Sequence, residues 1–153
     1  MSLTRRKFLL LLAAVGLSTT YSFASDPTLA VIVHPEVEVK RLSDVELESI
    51  FLTERRYWSG TRPIIPFNLA PRSEERALFD RVVLRMEPEA IARYWLDRRV
   101  RSGNPPPRQA PDPMTVGRLV AKLPGAIGYI PESFVTHEVR VLARIRNGKV
   151  LAP

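Results

Sequence analysis

The chain has 153 residues, no cysteine and a formal net charge of +7. That length suggests one domain. Without cysteine no disulfide framework can form, so an exported form must rest on its hydrophobic core alone.

Arg5, Arg6 and Lys7 form a basic n-region and Phe8 to Leu17 an apolar run. The run is about half of the roughly 20 residues needed to cross a bilayer. Ser22-Phe23-Ala24 then reads as a small-x-small cleavage site. The pattern is that of a secretory signal peptide over residues 1–24, leaving a domain over 25–153. An uncleaved N-terminal anchor is the other reading of the same residues. "TRRKFL" also resembles a twin-arginine export signal, and the sequence leaves that route and general secretion both open. Removing residues 1–24 leaves 20 Lys+Arg against 16 Asp+Glu, a net charge of +4. Such mild basicity does not argue for nucleic acid by itself.

Along the remaining chain, "TLAVIVHP" (28–35) is a short β-branched run expected to form a strand covered on both faces. "LSDVELESIF" (42–51) carries a full helix start. Ser43 is the N-cap, Glu46 the reciprocal capping-box residue, and Leu42 and Leu47 the hydrophobic staple. "RRYWSGTR" (55–62) reads as a turn and "PIIPF" (63–67) as a second strand. Residues 73–86 repeat apolar side chains at helical spacing, through Leu78, Phe79, Val82, Val83 and Met86. Pro88 can open the next helix, with Ile91, Tyr94 and Trp95 as its buried face. "SGNPPPRQAPDP" (102–113) breaks all periodicity and reads as an extended loop. A fourth helix follows, with Val116, Leu119, Val120 and Leu123 on one face. "PGAIGYIP" (124–131) is a turn into a strand, and "VRVLARI" (139–145) alternates like a half-exposed one. Alternating strands and helices imply an α/β fold on a mainly parallel sheet.

The usual catalytic constellations are thin. His34 and His137 are far apart, with no cysteine and no HExxH spacing, so a metal centre is not expected. No serine sits in a G-x-S-x-G elbow. Glu74 and Glu75 are adjacent on a helix, where their carboxylates diverge. There is neither a P-loop nor a G-x-G-x-x-G. The reading is therefore of a non-enzymatic protein without a cofactor. "RYWLDRRVR" (93–101) is the stretch nearest to a nucleic-acid surface, but helical spacing turns its aromatics inward with Ile91. Nucleic acid is not expected as a partner.

"NLAPRSEERALF" (68–79) runs from a strand through a turn into a helix start, with Ser73 at the N-cap and arginines on both sides. Free N–H groups at such an end favour anions. The order of "LAVIVHP", "LSDVELESIFL", "YWSGTRPIIPFN", "RSEERALF" and "GAIGYIP" resembles the phosphate-type substrate-binding proteins of ABC transporters. More closely, it is similar to short, single-lobe members of that type 2 periplasmic-binding fold. The resemblance covers roughly residues 28–131. It implies one lobe of a clamshell in the periplasm, a phosphate or similar oxyanion as ligand, and a membrane transporter or sensor as partner. It also implies that Ser73 is the anion-holding serine, with Arg76 matching an arginine common in the short members and Gly125 and Gly128 permitting close backbone approach. From their own charge, Arg72 and Arg76 are the expected countercharges to such an anion. The chain departs from the pattern at Arg72, where a glycine is expected, and at Glu74 and Glu75, whose charges oppose an anion. The opposing lobe is absent from the sequence. A protein–protein adaptor using the 102–113 loop and the open lobe face is the competing expectation, and homodimerisation through that face would restore a cleft.

Overall fold

The computed structural model describes residues 27–153, so the expected signal peptide lies outside the described residues. Strand β1 (Leu29–Val33) is buried at every position, as its unbroken apolar run requires. It leads through an irregular stretch to helix α1 (Asp44–Phe51). Both halves of the capping box are present there. Glu46 N–H donates to Ser43 Oγ, and Ser43 N–H donates to Glu46 Oε2 at 2.9 Å. The staple residues Leu42 and Leu47 are buried together.

That backbone N–H, with the Ser43 hydroxyl next, holds the Glu46 carboxyl below its ordinary value. A lowered carboxylate contributes stability above its unfolded pKa of 4.5 and loses it as pH falls through the folded value. Replacing Ser43 by alanine is expected to cost about 1 kcal/mol. Urea unfolding at neutral pH measures it, and an unchanged midpoint would remove the box from the account of α1.

Strand β2 (Ile65–Asn68) is followed by helix α2 (Glu74–Phe79), capped by Ser73. The expected helix over 73–86 does not stay α-helical. It continues as a π-helical turn over Asp80–Leu84 and stops at Arg85, whose φ is 53°. The wider turn lets Leu78, Phe79, Val83 and Leu84 all reach the core, more than one α-helical stripe accommodates. Helix α3 (Pro88–Ser102) starts at its proline and ends at Gly103 with φ 65°. Ile91 is buried and Tyr94 and Trp95 partly so, edge to face with centroids 4.9 Å apart.

The proline-rich stretch is not wholly a loop. Arg108–Gln109 forms strand β3, paired in parallel with β2. Helix α4 (Pro113–Lys122) is capped by Asp112. Strand β4 (Ala126–Pro131) follows, then β5 (Arg140–Arg146) and β6 (Lys149–Leu151). The last two form a hairpin through Asn147-Gly148, both with positive φ (50° and 68°), as a two-residue primed turn demands.

The six strands form one sheet in the order β3-β2-β4-β1-β5-β6. The α/β reading stands, but the sheet is mixed rather than mainly parallel. Parallel pairing is confined to β2 with β3 and β2 with β4. β1 runs antiparallel to both β4 and β5. The physical reason lies in the connection from β1 to β2, which does not place the two side by side. β4 is inserted between them, in the opposite direction to β1. α4 packs on the face of β4 that carries Gly128, where Val116 and Val120 fill the space a side chain would need. Phe79 stacks on Tyr129, the next residue, on the other face at 3.9 Å between centroids. Helices therefore cover both faces, with Phe51, Phe79 and Tyr129 as the aromatic centre of one layer.

Candidate functional site

β2 and β3 run side by side with their carboxyl ends at the same edge, Asn68 opposite Gln109. The chain leaving β2 turns over residues 69–73 into α2, on the Tyr129 face. The chain leaving β3 turns over 110–112 into α4, on the Gly128 face. Two parallel strands whose connections depart to opposite faces leave a crevice between their carboxyl ends, the usual place for a ligand in an open α/β sheet. The two turns are tied at the root, where Ala110 N–H donates to the Asn68 carbonyl at 2.8 Å.

The 69–73 turn is held from beneath. Leu69 N–H donates to the Tyr129 hydroxyl at 3.4 Å, and that hydroxyl donates to Asn68 Oδ1 at 3.2 Å. The Leu69 carbonyl accepts from Arg76 Nη1 at 3.2 Å. Arg76 Nε also donates to Asp80 Oδ2 at 2.7 Å, one turn further along. Burial pushes the Tyr129 hydroxyl far above its ordinary value, so it stays protonated and can donate. Burial likewise raises the Asp80 carboxyl, with the Arg76 charge opposing the rise. Asp80 Oδ1 is buried without a hydrogen-bond partner among the described residues. A cavity of about 330 Å³ opens here, lined among others by Asn68, Arg76, Asp80, Trp95 and Gln109.

The three expected site residues are thus divided. Ser73 is half-buried and caps α2, its Oγ accepting from Arg76 N–H at 3.1 Å. Its hydroxyl proton remains free to donate. Arg72 is exposed beside it. Arg76, expected as a countercharge to the anion, is only 7 % exposed and its guanidinium is committed to Asp80 and Leu69. A charge at that depth needs a partner within reach, and Asp80 supplies it. Glu74 and Glu75 occupy the first turn of α2 as the sequence indicated. Asn68, Asp80 and Tyr129 were not singled out beforehand. The four-residue spacing of Arg76 and Asp80 was the one available signal for that pair.

Elsewhere, His34 Nδ1 accepts from the Glu36 N–H at 3.2 Å at the end of β1. Among the described residues, no three His, Cys, Asp or Glu side chains are grouped to hold a metal ion. Among them, too, no helix is long and apolar enough to cross a membrane.

No protein-family model matches the chain. Solved structures do. One is a protein assigned as a phosphate ABC transporter substrate-binding protein from Clostridium perfringens, with phosphate bound (21% identity, TM-score 0.63). Another is an ABC-type phosphate transport receptor from Vibrio cholerae (16% identity, TM-score 0.62). A third is PstS from Borrelia burgdorferi (16% identity, TM-score 0.60). Each covers 77% of this chain, whereas the chain spans only 46–48% of theirs, about half the length. The likeness is one of fold: this chain is a mixed α/β domain built like a single lobe of these substrate-binding proteins.

Proposed function

We propose that the chain is a non-enzymatic solute-binding module, exported to the periplasm, whose lobe engages phosphate or a similar oxyanion at the 69–73 turn. The observation that carries this is the position of that turn, at the carboxyl end of β2 where the strand connections diverge, in a fold shared with phosphate-binding proteins. The Ser73 hydroxyl and the N–H groups of Glu74 and Glu75, which have no acceptor within the helix, are the donors. Arg72 is the countercharge. Arg76 acts from below, fixing the Leu69 carbonyl and hence the shape of the turn. Glu74 and Glu75 repel the same anion, and one lobe leaves it half hydrated, so binding is weak until a second lobe or a membrane transporter or sensor closes over it. Export rests on the sequence of residues 1–24.

Calorimetric titration of the full chain with inorganic phosphate is expected to give saturable heat in the millimolar range. Ser73→Ala with Arg72→Gln is expected to abolish it. No heat from the unmodified chain would end the oxyanion reading.

One observation favours an adaptor role in that event. Leu96 and Val100 on α3 are 67% and 79% exposed, large apolar groups on an arginine-rich helix. Size-exclusion chromatography of the same sample decides whether that face, or the open lobe face, makes a homodimer.

A further inference from the structure

At the opposite edge of the sheet, where β2 and β3 begin, a second cavity of about 460 Å³ lies between the 53–57 turn and the proline segment 104–107. Volumes of this size suit a small organic ligand. Its floor is apolar, with Ile50 and Ile64 buried beneath it. Its wall carries Arg55, Arg56 and Arg108 and not one carboxylate. Arg55 is shared with Glu46 at 3.2 Å. Arg56 and Arg108 make no ion pair among the described residues.

Thr53 lines the same cavity and carries two local costs. It follows the α1 C-cap with φ 57°, a left-handed position where glycine is the usual residue and a β-branched one is strained. Its Oγ1 is also buried with no partner among the described residues. An unused buried hydroxyl in a strained backbone, beside unpaired cations, marks a place shaped for something other than folding. The donors on this wall call for a negative group. The apolar floor excludes a bare, strongly hydrated ion, whose desolvation it could not repay.

We propose that this cavity binds a small organic anion, a carboxylate carried on an apolar aliphatic or aromatic body. Arg56 and Arg108 take the carboxylate, rotation of the Thr53 side chain brings its hydroxyl to it, and the isoleucine floor takes the body. The site is separate from the 69–73 turn and does not depend on the reading given for it.

Benzoate serves as the probe, followed by calorimetry and by amide shifts in two-dimensional NMR of the full chain. Saturable binding is expected, with shifts centred on Thr53, Tyr57 and Arg108, undisturbed by Ser73→Ala or by excess inorganic phosphate. Arg56→Gln with Arg108→Gln removes two exposed side chains without touching the core. It should weaken benzoate by about ten- to a hundredfold, as loss of a charge-assisted hydrogen bond does, with the thermal midpoint unchanged. Thr53→Gly should melt higher than the parent yet bind benzoate more weakly, a combination that a purely structural threonine would not give. Equal affinity for benzyl alcohol, displacement by inorganic phosphate, or affinity unaltered in both the double arginine variant and Thr53→Gly would each overturn the proposal.

Discussion

Gly125→Ala is expected to lower the unfolding free energy by about 3–4 kcal/mol, from a left-handed residue and an overpacked contact together. Gly125 has φ 89°, and a Cβ there would run into the Pro63 carbonyl oxygen, closer than any real Cβ approaches. Backbone cannot swing aside as a flexible side chain can. The Gly125 carbonyl is moreover a shared acceptor, taking Trp58 Nε1–H at 2.9 Å and Ile65 N–H at 3.1 Å. Shifting it disturbs the start of β2 and the seat of a tryptophan only 6% exposed. Urea unfolding should show a lower midpoint at an unchanged slope, with altered Trp58 emission in the native state. A loss below about 1 kcal/mol, the range of ordinary substitutions, would mean that the turn relaxes freely. Gly128 gives the comparison. Its Cβ would meet Val116 Cγ1 at 2.5 Å with no left-handed φ, so Gly128→Ala should cost only the overpacking, about 1–3 kcal/mol.

Arg76→Leu is expected to cost about 3–5 kcal/mol, because it leaves Asp80 buried and uncompensated. The Arg76 and Asp80 side chains are 9% and 13% exposed. Replacing both by leucine should recover most of the loss, since an apolar pair of similar volume is often neutral in a core. A double variant as unstable as the single one would contradict that account. The acid limb supplies an independent check. Burial raises the folded pKa of Asp80 above its ordinary 3.8. Its stabilising contribution is thus complete below 3.8 and is lost as pH rises through the folded value. Asp80→Asn should remove that decline. An identical pH profile in the variant would place the titration elsewhere.

Much of the layout is legible from local chemistry. Ser43 with Glu46, Pro88, and the unbroken apolar run within 28–35 each specify their element through short-range rules, and all three elements form as read. What the sequence conceals depends on distant partners. β3 is two polar residues in a proline stretch, and only its pairing with β2 makes it a strand. The antiparallel setting of β1 follows from β4 entering beside it, which no window of residues displays. β6 is a different case. Asn147-Gly148 is a strong hairpin signal, and it could have been read. At the candidate site, Ser73 was legible as a cap because capping is local. The commitment of Arg76 to Asp80 and the Leu69 carbonyl was not, because it depends on Asp80, Leu69 and Tyr129 meeting under one turn.

The central strand also sets the order of assembly. Both hydrogen-bonded neighbours of β1 lie beyond residue 125. Until they are in place, five consecutive apolar residues have bare edges on either side. Such distant pairing delays folding through the entropy of closing a long loop. During biosynthesis β1 emerges early and is completed late. The step that pairs β1 is therefore the one that closes the centre of the sheet.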